Sequence, residues 1–165
     1  MTREYDCNAW QSDASIVPAK YKKKYTKLES NNPNDDRSYF YIRVVVDFGT
    51  FLIEDEEKDT RHGLPIRTLK AAEKVKGFEI PADDLVEDKN TCGSTISTML
   101  SAMKVPEEAH PDMVHTIAHC ARDMAKAKAA YNVNGGSKSK VLPMIVKIYV
   151  EDYIVDYDDE DFVRN

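Results

Sequence analysis

Tyr39-Phe40-Tyr41-Ile42-Arg43-Val44-Val45-Val46-Asp47-Phe48 is the stretch that decides the fold class. Phe40, Ile42, Val44, Val46 and Phe48 fall on one face of an extended chain, and Tyr39, Tyr41, Arg43, Val45 and Asp47 on the other. Period-two alternation of β-branched and aromatic residues marks a strand with one buried face, so 38–48 reads as a strand. Upstream, Ser30-Asn31-Asn32-Pro33-Asn34-Asp35-Asp36 is a loop, because each of these residues favours turns over ladder hydrogen bonds. Downstream, Gly49 and Thr50 allow a turn or bulge into Phe51-Leu52-Ile53, which is expected to be a second strand. Glu54-Asp55-Glu56-Glu57-Lys58-Asp59 then leaves the core for solvent.

A strand needs partners, and the next good one comes late. Met144, Val146, Ile148 and Val150 alternate with Ile145, Lys147, Tyr149 and Glu151, and Tyr153-Ile154-Val155 prolongs the pattern. Between these strands lies helical territory. Ile66 to Val75 reads as a short helix and nearly as well as an extended segment, closed by Gly77; Phe78-Glu79-Ile80-Pro81 is extended. Asp83 and Asp84 suit a helix N-terminus, and Ile96, Met99, Leu100 and Met103 share one helical face, ended by Val105-Pro106. In the helix over 111–130, Met113, Ile117, Cys120, Met124 and Ala127 form an apolar sector. Asp112, His115, Thr116, His119, Arg122, Asp123 and Lys126 fill the opposite one. The segment Tyr131 to Lys140, with its Gly135-Gly136 break, is a loop. The expected fold is therefore α+β: a small antiparallel or mixed sheet, containing 38–48 and 144–155, packed against two or three helices near 84–104 and 111–130. Residues 1–37 are expected to be a partly disordered arm, 38–155 a single domain, and 156–165 an acidic tail.

Composition sets the outer bounds. The chain has 165 residues, a formal net charge of −6 and 36 Leu, Ile, Val and Phe, about 22 per cent. That is enough for one modest core and lies just above the range of disordered chains. No run of about 18 apolar residues could span a bilayer, and the first residues lack a signal-peptide core. Three cysteines, Cys7, Cys92 and Cys120, are too few and too scattered for a disulfide framework and favour a reducing compartment, cytoplasmic or nuclear. The charge is localised. Residues 151–165 hold seven acids and one base, so the remaining 150 residues are neutral overall. No general nucleic-acid footprint results.

Several patterns suggest chemistry. His115 and His119 are four apart on a helix, with Asp112 and Asp123 on the same side, a spacing that can grip zinc. Thr116 stands where a zinc protease carries glutamate, so the favoured reading is a solvated face with its histidines paired to the aspartates. Cys120 falls in the apolar sector and reads as a small buried hydrophobe; Cys92, near a helix start, has no histidine partner fixed by spacing, His62 being one example. Gly135-Gly136-Ser137-Lys138-Ser139 lies between helix and strand, the wrong order for a phosphate loop, and the acidic tail lacks the glycine of a calcium-binding loop. Lys20 to Lys27, interleaved with Tyr21 and Tyr25, could follow a nucleic-acid strand, but a lysine-guarded edge strand is favoured.

Phe78-Glu79-Ile80-Pro81, the Ile96/Met99/Leu100/Met103 helix with Lys104-Val105-Pro106, the helix ending near Ala125 and the Met144–Val150 strand running into acids together resemble the region preceding the RING finger in some plant RING-type proteins. The resemblance covers roughly residues 38–160 and implies a substrate- or partner-binding module of the ubiquitin system. It carries no ligase catalysis, since the chain has no Cys-x-x-Cys and no RING zinc ligand to map. The expected function is a non-catalytic protein-interaction domain, with Lys22, Lys23, Lys24, Asp158, Asp159, Glu160 and Asp161 as interaction residues and another protein as partner. Neither membrane nor nucleic acid is expected, and zinc is the one cofactor the pattern admits. The rivals are a RING-less adaptor related to ubiquitin ligases, a small metal-dependent or cysteine hydrolase, and a nucleic-acid binder through Lys20–Lys27.

Overall fold

Strands β2 (Tyr39–Glu54) and β4 (Val141–Asp156) lie side by side and parallel, in register from Tyr39 opposite Val141 to Glu54 opposite Asp156. The computed structural model describes residues 1–31, 37–54, 67–133 and 140–156. Strand β3 (Arg67–Pro81) pairs antiparallel with the far side of β2, and β1 (Thr2–Gln11) antiparallel with the far side of β4. The result is a four-stranded mixed sheet in the order β1-β4-β2-β3. The α+β expectation holds, with the sheet mixed rather than purely antiparallel.

The alternation read from sequence becomes the core. Phe40, Ile42, Val44 and Val46 of β2 lie beside Leu142, Met144, Val146 and Ile148 of β4, all buried on one face. Helices α2 (Asp83–Val86), α3 (Lys89–Ala102) and α4 (His110–Val133) cover that face, contributing Leu85, Ile96, Leu100, Met113, Ile117 and Met124 to the same cluster. Helix α3 is capped by Asp88, whose carboxylate accepts from the Asn90 amide (2.9 Å) and the Thr91 hydroxyl (3.1 Å). At its other end Val105 N donates to Leu100 O (3.1 Å) and Lys104 N to Ser101 O (3.0 Å), the paired bonds of a Schellman cap. The left-handed position of that cap, usually glycine, is Lys104, at φ 64°. Buried His110 braces the turn: its Nε2–H donates to the Val105 carbonyl (2.9 Å), which can only accept.

Three expectations fail here. The arm expected over 1–37 is not loose over the described residues 1–31: β1 is a sheet strand, and α1 (Ala19–Asn31) covers part of the opposite face. Lys20–Lys27 is therefore helix, not edge strand. Tyr21, Tyr25 and Leu28, at i, i+4 and i+7, pack on Tyr39, Tyr41 and Val141, and this second core outweighs the charge density of the lysines. Of the two readings of Ile66–Val75, the extended one holds over 67–75 as part of β3, because Phe78 and Ile80 pair with Ile42 and Phe40 and carry the preceding residues along β2 as a ladder. Phe51–Ile53 is not a separate strand. It continues β2 past a register shift at Thr50/Phe51.

Two predictions follow from the backbone. Lys104→Gly removes the left-handed penalty and is expected to raise stability by about 0.5–1 kcal/mol, read in urea unfolding; a loss of stability would contradict the cap. The Tyr41 ring lies over Gly77, where an added Cβ would meet Tyr41 Oη at 1.8 Å, and Tyr21 packs on that ring at 5.4 Å. Gly77→Ala should therefore cost about 1–3 kcal/mol, against no change if the ring swings freely aside.

Candidate functional site

Strand β1 is an edge of the sheet, and its outward hydrogen-bonding groups belong to alternate residues. Ser12 N donates to Pro143 O (2.9 Å), immediately beyond the strand's last pair, so Ser12 and Pro143 face each other across the ladder. In an antiparallel pair such bonded positions alternate with unbonded ones. Trp10, Asn8, Asp6 and Glu4 therefore turn their amides and carbonyls toward β4, while Gln11, Ala9, Cys7, Tyr5 and Arg3 turn theirs away from the sheet. The side chains of Tyr5, Cys7 and Ala9 pack against the helix-covered core.

The outward edge opens on a groove whose far wall is α4. Beside Ala9 and Gln11 it encloses about 620 Å³, lined by His115, Thr116, His119, Cys120, Met124 and neighbours. Beside Tyr5 and Cys7 it encloses about 270 Å³, lined by Glu108, Asp112, Met113 and Thr116. Thr116 lines both, so the two are successive parts of one channel between strand and helix. The Tyr5 hydroxyl donates to Glu108, and Arg3 clasps Asp152 through Nε (2.5 Å) and Nη2 (2.9 Å), fixing the strand's first residues. The Asp152 carboxyl is held below the usual carboxylate range by that guanidinium.

The residues singled out from sequence distribute unevenly. His115, His119 and Asp123 do come together on the groove wall, and Asp112 lies one section along it. His119 Nε2 is 3.3 Å from an Asp123 oxygen, but both side chains are more than 60 % exposed (70 % and 62 %), so the pair contributes little to stability. Among the described residues no three His, Cys, Asp or Glu side chains gather closely enough to hold a metal. Cys120, assigned to the apolar sector, lies at its margin: half-buried, it lines the groove with the histidines and donates to Met124 Sδ (3.9 Å). On α1, Lys22 and Lys23 are exposed, whereas Lys24 is bound to Glu79 (2.6 Å) and stands over the Tyr39 ring. Tyr21 and Tyr25 are packed inward, so they offer no free faces for base stacking. Asp158, Asp159, Glu160, Asp161, His62 and Gly135–Ser139 lie outside the described residues.

The thiols are the reverse of activated. Burial pushes Cys7 up to about 12, and burial raises Cys92 and Cys120 as well, with Asp123 adding to the rise at Cys120. A protonated thiol is a poor nucleophile. The groove's contribution from β1 was not legible as a site, because Tyr5, Cys7 and Ala9 are only moderately apolar. The signal was their alternation with Glu4, Asp6 and Asn8. Compared with protein-family models, with characterised proteins and with solved structures, the chain finds no match. Iodoacetamide at pH 8 should label all three cysteines at least about tenfold more slowly in the native protein than after unfolding; rapid native labelling of Cys120 would contradict the protonated thiol.

Proposed function

We propose that the chain is a non-catalytic protein-interaction domain that takes an extended segment of its partner along the free edge of β1. One observation carries the reading: the outward amides and carbonyls of Tyr5, Cys7, Ala9 and Gln11 open on a groove already walled by α4. A strand added there gains main-chain hydrogen bonds from β1 and side-chain contacts from the helix, the physics of β-augmentation. Its backbone would lie about 4.8 Å beyond β1. The three free cysteines suit a reducing compartment, cytoplasm or nucleus. The resemblance of residues 38–160 to the segment ahead of plant RING fingers supports the same reading, since that segment implies partner binding rather than catalysis.

Proline separates binding from folding on this edge. Ala9→Pro removes an amide that points away from the sheet, a position where edge strands tolerate proline. Asn8→Pro removes one that points into it and should cost about 1–3 kcal/mol. Partners captured by the wild-type chain should be lost with Ala9→Pro while its unfolding midpoint stays within a few degrees of wild type. Retention of the same partners by a folded Ala9→Pro chain would contradict the proposal.

A further inference from the structure

We infer that the segment taken by this groove is a strand carrying an apolar side chain at one position and a lysine or arginine four residues away. The inference rests on the interaction reading above and adds the chemistry of the partner. In an added strand, side chains opposite odd-numbered β1 residues project on the same face as Tyr5, Cys7 and Ala9, toward α4, because cross-strand neighbours share a face. Two such positions meet different surroundings. Beside Ala9 the wide part of the groove is backed by Cys120, Met124 and Ala127. His115, His119 and Asp123 line the same part but are exposed, His119 and Asp123 as a pair, so an apolar side chain can cover the Cys120, Met124 and Ala127 part of the wall while they keep their contact with water.

Four residues back along β1, beside Tyr5, the narrow part is walled by Glu108 and Asp112. Glu107, next in the chain to Glu108, is exposed as well. Glu108 accepts from the Tyr5 hydroxyl, whereas the Asp112 carboxylate has no ion-pair or hydrogen-bond partner among the described residues. Arg3, on the same strand, is already held by Asp152. The half-charge of the α4 N-terminus offsets only part of this negative charge. Arg3 also reaches the Tyr5 hydroxyl, so the carboxylate left without a cationic partner at this end is that of Asp112. The distance between the two positions is fixed by the strand itself, about 13 Å for four residues, so it holds whichever way the partner runs.

A second copy of β1 fits less well. Two-fold pairing of β1 with itself would gather Glu4 and Asp6 of both copies on one face, where like charges repel.

The test is selection of a random nonapeptide library on phage against the full chain at about 150 mM salt, followed by anisotropy titration of the enriched peptides. Enrichment of an apolar residue four positions from Lys or Arg is expected. Replacing that base by Glu in the peptide should weaken binding about tenfold or more, and Glu108→Gln with Asp112→Asn, both exposed, about three- to tenfold. Peptides that are lost with Ala9→Pro but show no basic preference and ignore the charge variant would overturn this inference and leave the interaction reading standing. No enrichment, or enriched peptides indifferent to Ala9→Pro, would overturn both. Self-association of the free chain in sedimentation, abolished by Ala9→Pro, would assign the groove to a second copy and overturn it too.

Discussion

The parallel pairing of β2 with β4 is the constraint on which the rest of the structure depends. These strands are separated by β3 and every helix of the covering layer, so nothing local brings them together. Their adjacency is held by two alternating faces that match row for row, Phe40 beside Leu142, Ile42 beside Met144, Val44 beside Val146 and Val46 beside Ile148. A slip of one residue would turn one strand's whole apolar set to the other face. That register fixes which face the helices cover, and it leaves the outer sides of β2 and β4 to be taken by β3 and β1.

The candidate site is a consequence of that order. Because β1 is last in the sheet, half of its backbone groups face outward, a condition that usually invites uncontrolled pairing. Here α4 stands beside the edge and narrows access to a groove, so an added strand must satisfy both the backbone of β1 and the side chains of the helix. The opposite edge, β3, carries Arg67, Lys70, Lys74 and Lys76, the kind of charge that guards an edge against pairing. Under the proposed interaction reading, the contrast between a guarded edge and a walled one favours β1 over β3 as the edge an added strand would take.

Legibility in the sequence followed the strength of burial. Strand 38–48, the 144–155 strand and the helix over 111–130 were readable because each buries a full apolar face. Strand β1 and helix α1 were not. Tyr5, Cys7 and Ala9 are only half covered, and Tyr21, Tyr25 and Leu28 are spaced among five lysines, so their periodicity was outvoted by polar neighbours. The histidine face was legible as a surface but not as a wall, since a groove exists only once β1 is placed beside it. For β3, propensity and pairing pulled in different directions, and the ladder with β2 prevailed.

Native-state amide hydrogen exchange along β1, followed residue by residue, reads directly which of its amides face outward. Slow exchange is expected at Glu4, Asp6, Asn8 and Trp10, whose amides face β4, and fast exchange at Tyr5, Cys7, Ala9 and Gln11, whose amides face the groove. Uniform protection along the strand, or slow exchange at the odd-numbered residues instead, would contradict that orientation.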